Sequence, residues 1–305
     1  MRRARPNLLL ATALKQLIIN GDDFGVSAEV NEGILRCHRH GILTSTSMMV
    51  AGKAAAAGAA AARDCPELDV GLHLVVCMGH SVLPKARLRG LVDGANCFGN
   101  NPVAAGMRYF FDRRVRGPLT DEVRAQIERH LQLVGYLNHI DGHLNFHVHP
   151  VLFDILIDLA EEYRVPCIRL PRERLFTTLR LSRDHGGRKV VEAVIFRLLS
   201  ARARRKMDER GLKSTDWLYG LHQSGNMSAA YFQAVLNRLP KGATEIYFHP
   251  AQAGSSGGPP AQGQREVDIL TDPRLPGLLA RENIQLTTYS ALAQAFAPLR
   301  AANAD

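Results

Sequence analysis

The residues best able to do chemistry fall into four short runs. The first, Asn20-Gly21-Asp22-Asp23-Phe24-Gly25, places two adjacent carboxylates directly after the apolar run Leu17-Ile18-Ile19. Carboxylates are costly to bury without a cation or hydrogen bonds, so the pair could serve a metal or acid/base step. One of them could equally cap the helix that follows. The second run, Gly71-Leu72-His73-Leu74, sets a lone histidine at the end of an apolar stretch, where a hydrogen-bonded core residue is a commoner outcome than a ligand. The third is harder to dismiss. His139, Asp141, His143, His147 and His149 fall within eleven residues, and alternate positions of an extended chain share one side. Neutral imidazole is a common metal ligand, so this cluster favours a divalent-metal or proton-transfer site. The fourth, Tyr247-Phe248-His249-Pro250, puts another histidine after a strand-like run that the proline ends.

Each run stands at the end of a predicted strand, where a (β/α) barrel or open α/β sheet builds its site. Short β-branched or apolar runs alternate with helix-length stretches, as parallel strands with helical crossovers require. Strands are expected at 17–20, 46–50, 70–75, from 139 to 141, and at 167–170, 244–248 and 284–288. Helices are expected at 26–40, 53–62, 120–137, 151–163, 188–209 and 228–238. Within 120–137, Val123, Ile127, Leu131 and Val134 recur at spacings of four, four and three, the stripe of an amphipathic helix. No repeat or domain boundary interrupts this pattern. One domain is expected over 16–300, after an extension at 1–15 and with a basic helical segment at 172–213. The stretch 253–264, rich in Gly, Ser, Pro and Gln, reads as a mobile surface loop.

A chain of 305 residues that is 46% hydrophobic and 22% charged can bury a large core. It holds no run of the roughly 18 to 20 apolar residues needed to span a bilayer. The opening MRRARPNLLLATALKQ imitates a signal peptide, but Lys15 soon follows and the first strand leads straight into the acidic motif. A cytoplasmic location, with peripheral contact at the inner face of the membrane, is the expectation. Cys37, Cys65, Cys77, Cys97 and Cys167 form no CxxC pair, which fits reduced thiols without chemistry. The net charge is +9, and residues 172–213 alone hold thirteen Lys or Arg against five Asp or Glu. Such a run could meet nucleic acid, acidic substrates or an anionic membrane, although a solvated face is its commonest meaning.

Together, NGDDFG at 20–25, GLH at 71–73 and DGHLNFH at 141–147 resemble the YdjC-like family of carbohydrate deacetylases, which includes chitooligosaccharide deacetylases. The resemblance runs from about residue 16 to residue 290. The family's late His-Pro is matched by FHP at 248–250, and IRLPR at 168–172 matches a segment where related polysaccharide deacetylases carry an arginine. One departure is that Asn145 replaces the middle histidine of the family's H-x-H-x-H. The resemblance implies an α/β fold, an irregular (β/α) TIM-like barrel of one domain. It implies Asp23, His73 and His143 as ligands of one divalent metal ion, Asp22 as base, Arg169 keeping Asp22 ionised, and His249 as the acid for the departing amine. Mg2+ is the metal associated with the family, while two imidazoles and a carboxylate suit Zn2+ by donor chemistry. The segment 172–240, with DWLYG at 216–220 and SGNM at 224–227, resembles the HpnK branch associated with hopanoid biosynthesis. That likeness implies removal of the acetyl group from N-acetylglucosamine linked to a hopanoid lipid.

Two other readings stay open at this level. An acidic barrel could cleave glycosidic or phosphoester bonds, although paired-carboxylate glycosidases need no clustered histidines. A nucleic-acid-binding module could use the basic segment, but that segment lacks interleaved aromatics. The expected partners are therefore an N-acetylated sugar or glycolipid, a membrane surface and no nucleic acid, with a homodimer as one assembly the sequence allows. The membrane expectation rests on Val190, Val191, Val194, Ile195, Leu198 and Leu199, an apolar stripe if 188–209 is helical. Arg197, Arg202, Arg204, Arg205 and Lys206 would supply the contacts to anionic headgroups.

Overall fold

The computed structural model describes residues 14–174, 186–253 and 261–301. Its centre is β1 (Lys15–Phe24), in which Leu17, Ile18, Ile19 and Asn20 are wholly buried. Around it lie β2 (Ser45–Met48), β3 (Asp69–Leu74), β4 (His139–Gly142), β5 (Cys167–Ile168), β6 (Trp217–Tyr219), β7 (Gly242–Phe248) and β8 (Ile284–Leu286), every pairing parallel. The order is β5-β4-β3-β2-β1-β7-β6, with β8 also paired to β1. Since β7 runs along Lys15–Gly21, its opposite edge is shared: β8 takes Lys15–Leu17 and β2 takes the stretch from Asn20. The free edges of β5 and β6 approach each other through a bridge between Cys167 and Lys213 and a bond from the Leu218 N–H to the Arg172 carbonyl. The curled parallel sheet agrees with the expected irregular (β/α) barrel.

Parallel strands need helical crossovers. These are α1 (Ala28–His40), α2 (Ala55–Ala62), α3 (Pro102–Phe111), α4 (Arg116–Val134), α5 (Pro150–Glu162), α6 (Gly186–Glu209), α7 (Ala229–Leu236), α8 (Ala261–Leu270), α9 (Leu275–Arg281) and α10 (Tyr289–Ala301). The outward residues of the strands, such as Leu17, Ile19, Leu72 and Ile140, pack with helix residues such as Val123, Ile127, Leu152 and Leu156 in one large apolar core. The inward positions are different. Asn20, Ser45, Ser47, Asp69, His73, His139, Asp141, Arg169 and Glu245 are all buried, so the barrel is filled largely by polar groups that must find partners in each other.

Several expectations needed correction. The strand expected to open at 139–141 is present as β4, but the condition that 139–149 be extended fails: after Gly142 the chain turns through a 3-10 segment, His143–Val148, in which Leu144 and Asn145 have φ of 57° and 54°. The strand expected over 167–170 is cut to two residues, because Pro171 lacks an N–H. Helix α3 is not among the expected elements: Asn101 caps it by accepting from the Ala104 N–H, and Pro102 sits in its first turn. Strand β6 and helices α8, α9 and α10 were also missed. Residues 1–13 of the extension, 175–185 of the basic segment, and 254–260 of the expected surface loop lie outside the described residues, while Lys15 of the expected extension opens β1.

Candidate metal centre

The first motif is shaped by a bulge. Gly21 pairs with Thr46 and Phe24 with Met48, so three steps of β1 match two of β2. Asp23 absorbs the extra residue at φ 68°, a conformation disfavoured for residues with a Cβ and concentrated at functional sites. Neither carboxylate caps α1. Ser27 does that by accepting from the Val30 N–H at 3.3 Å, while Asn31 fixes the loop by accepting from the Gly25 N–H at 2.7 Å and donating to the Ala54 carbonyl at 3.0 Å. The aspartates are thus left for the barrel mouth.

Asp23 Oδ1 lies 3.2 Å from His73 Nε2 and 3.2 Å from His143 Nδ1. The ligand-capable atoms of these three residues fall within 4.8 Å of one another. Three strands deliver them: β1 carries Asp23, β3 carries His73, and His143 follows β4. His73 is oriented from behind, its Nδ1 donating to Asp141 Oδ1 at 2.8 Å with Ser47 Oγ at 3.1 Å. That bond keeps a proton on Nδ1 and turns Nε2 toward Asp23, where a bound cation would take the place of the second ring proton, as in a carboxylate–histidine–metal triad. Among the described residues Nε2 has no hydrogen-bond partner although it is fully buried. Burial alone would lower the His73 pKa, but Asp141 and Asp23 overcome it and push it up to about 10. Burial likewise opposes charge on Asp23, yet His143 and His73 hold its carboxyl well below the usual range. These residues fit one divalent cation, with two imidazoles and a partly open carboxylate converging on a common point.

Asp22, His73 and Asp141 form a second, wholly buried group of similar closeness, but a guanidinium already fills it. Arg169 Nη1 and Nη2 each donate to Asp22 at 2.8 Å, and Nη2 lies 2.8 Å from Asp141 Oδ2. Asn20 Nδ2 donates to Asp22 Oδ1 at 2.8 Å. The Arg169 guanidinium also packs on the face of Tyr247, 4.8 Å from the ring centroid. Burial works against the Arg169 charge, and Asp141, Asp22 and Glu245 more than restore it.

His249 is half-buried just beyond β7, its ring edge-on to Tyr247 at 5.7 Å. Its backbone N–H donates to Glu266 of α8, and its field helps lower the Asp23 carboxyl. The other histidines of the third motif do not join. His139 stacks on Tyr289 at 4.1 Å, His147 Nε2 bonds the Arg169 carbonyl at 3.0 Å, and His149 Nε2 bonds the Gly106 carbonyl at 3.1 Å. Burial lowers the His147 pKa to about 4, keeping it neutral as the donor that bond needs. Sequence reasoning gave no roles to Asn20, Ser47, Asp141, Glu245, Tyr247 or Tyr289. The readable signal was a charge or amide on the inward alternation of an otherwise apolar strand, as in Thr244-Glu245-Ile246.

An apolar groove of about 950 Å³ adjoins the centre. Val103 of α3, Leu144, Phe146, and Ile195, Phe196 and Leu199 of α6 wall it, and it reaches Asn145, His222 and Tyr247. Leu144 and Asn145 directly follow His143, and Tyr247 underlies Arg169, so groove and centre share a wall. Around it Val103, Met107, Phe110, Phe111, Val194, Ile195 and Leu198 are exposed.

Residues 16–281 match the family of YdjC-like proteins. The chain is 31% identical over 278 residues to a carbohydrate deacetylase of Geobacillus stearothermophilus, covering 89% of this chain and 96% of that protein. It is 30% identical over 284 residues to a carbohydrate deacetylase of Brevibacillus brevis, covering 91% and 99%. Among solved structures, a protein of Enterococcus faecalis assigned to cellobiose-phosphate cleavage superposes with a TM-score of 0.71 at 24% identity, over 92% of this chain and 99% of that one. That last likeness is one of fold.

Proposed function

The chain belongs to the YdjC-like family, and from that premise we propose that it is a metal-dependent carbohydrate N-deacetylase acting on N-acetylglucosamine carried by a bulky apolar aglycone of hopanoid type. The name shared by its relatives supports the chemistry. The observation that carries the aglycone is the apolar groove whose wall includes Leu144 and Asn145, the two residues that follow His143, since an oligosaccharide would leave much of that surface wet.

In this reading a divalent cation held by Asp23, His73 and His143 supplies Lewis acidity toward a water and the acetamide carbonyl. Asp22 is the general base: Arg169 and Asn20 hold its carboxylate at a fixed angle, Oδ1 accepting from both and Oδ2 from Arg169 alone, so that Oδ2 keeps an acceptor position for the water. His249, fixed through Glu266, returns a proton to the departing amine, without which the C–N bond breaks poorly. The exposed apolar rim on α3 and α6 suits a substrate held in a bilayer. No helix among the described residues is long and apolar enough to cross a membrane, so such contact would be peripheral. The arginine cluster contributes less to it than its sequence suggests: Arg202 and Lys206 both pair with Asp154 at 2.7 Å, and Arg204 donates to the Thr215 carbonyl.

The test is acetate release from N-acetylglucosamine bearing a hopanoid-like aglycone and from chitooligosaccharides, with and without chelator. Activity on the first, abolished by chelator, is expected. Ile195→Asp should raise KM for the apolar substrate about tenfold or more while leaving kcat on the oligosaccharide unchanged, because it places a charge in the groove. Equal effects on both substrates would remove the groove from aglycone binding, and chelator-resistant turnover would remove the metal.

A further inference from the structure

Arg169 is gripped from a second side that none of the motifs singles out. Its Nε and Nη2 donate to Glu245 Oε1 at 3.0 and 2.6 Å, while Nη1 and Nη2 hold Asp22. The Tyr289 hydroxyl donates to the other Glu245 oxygen. Arg169, Glu245 and Tyr289 are all fully buried. Tyr289 is itself fixed, its ring stacked on His139 at 4.1 Å with planes 16° apart. The next residue, Ser290, donates its N–H and hydroxyl to Asp69 at 2.7 and 2.6 Å. The first turn of α10 is thereby pinned into the barrel. Tyr289 also lies beyond the residues 16–281 that match the family.

A guanidinium is a rigid planar fork, and holding both edges fixes its plane. Asp22 occupies one edge. Glu245 takes the other, so that with Asp141 beside Nη2 and Tyr247 against the face it is the contact that fixes the Nε edge; its loss loosens the plane, and a tilt at Arg169 is transmitted to the carboxylate that must meet the attacking water. We propose that Glu245 and Tyr289 are positioning residues of the hydrolytic site, locking Arg169 and through it Asp22, so that helix α10 forms part of the catalytic apparatus. The inference rests on Asp22 being the base.

The experiment compares full-length, metal-loaded wild type with Glu245→Gln and Tyr289→Phe. Acetate release gives kcat and KM, and metal content is measured on the same samples. Solvent exchange of the Arg169 Nε–H is followed by NMR in arginine-labelled protein, with Arg169→Lys for assignment. Tyr289→Phe, which removes one oxygen, should keep metal and KM but lose about tenfold in kcat, the size of one lost hydrogen bond. Glu245→Gln should lose about 10²-fold, as misplaced catalytic groups do. Both should speed Nε–H exchange at least about tenfold. Folded, metal-loaded variants with wild-type kcat, or unchanged Arg169 exchange, would overturn the proposal. If Glu245→Gln fails to fold, Tyr289→Phe decides. If the wild type deacetylates no sugar, the functional reading falls separately and the exchange measurement decides this inference.

Discussion

Asp22 and Asp23 are neighbours in the chain but not in environment. The bulge leaves Asp22 buried against Arg169 and Asn20 and turns Asp23 toward two imidazoles. Substitutions should separate them. Asp23→Ala, His73→Ala and His143→Ala should each abolish stoichiometric metal binding in titration calorimetry. Asp22→Asn should bind metal normally and lose about 10²–10⁴-fold in kcat. Reversed outcomes for the two aspartates would exchange their roles. Asp141→Asn should weaken metal affinity by about 10–100-fold without removing any ligand, because Asp141 fixes the tautomer of His73; unchanged affinity would show that Ser47 suffices. His249→Ala should slow turnover more than it weakens metal binding, and a wild-type rate would remove it as the acid. The three proposed ligands were readable because family motifs tie residue type to spacing. Asp141 was visible in the same motif, but its task was not, since nothing local shows that β3 places His73 beside it.

At the level of elements, periodicity located the long helices and most strands, while short elements depended on packing that sequence does not display. The turn after Gly142 is the instructive failure. Alternate positions in 139–149 would share one side only if the chain stayed extended, yet Leu144 and Asn145 adopt left-handed backbone, so His143 alone turns into the site. Helix α1 offers a prediction with a definite sign. Gly33 lies inside it, and replacing an interior helical glycine with alanine ordinarily stabilises by about 0.5–1 kcal/mol. Here the helix passes against the chain just beyond His249: a Cβ on Gly33 would lie 2.7 Å from Ala251 Cα and 2.9 Å from the Pro250 carbonyl carbon. Backbone cannot give as a side chain can, so Gly33→Ala should lower Tm and kcat together. A higher Tm with normal kcat would mean the 250–251 segment moves aside at little cost.

Across the whole molecule, the barrel's polar filling links stability to pH in ways that partly oppose. Burial lowers the pKa of His130 to about 3 and of His147 to about 4, and lowers that of His139 as well. Burial also raises the carboxyls of Glu122, Glu245 and Glu266. A buried neutral imidazole with a depressed pKa is protonated first in the unfolded chain, which titrates near 6.5. Its stability contribution is therefore complete above about pH 6.5 and is lost as pH falls toward the folded value, at about 1.4 kcal/mol per pH unit. The raised glutamates act with the opposite sign above about pH 4.3, their unfolded value, so the bare pH profile of Tm mixes the two. The difference between two proteins does not. His130, wholly buried on α4, can be replaced by leucine without touching the metal centre, and with metal saturating in both proteins the contributions of the centre cancel. The stability of wild type relative to the leucine variant should be constant above about pH 6.5 and fall steadily below it, because only wild type carries a histidine that unfolding releases to bind a proton. A Tm difference constant from pH 7.5 to 5 would show that His130 takes up its proton without unfolding, and the dry packing of α4 against the barrel would have to be revised.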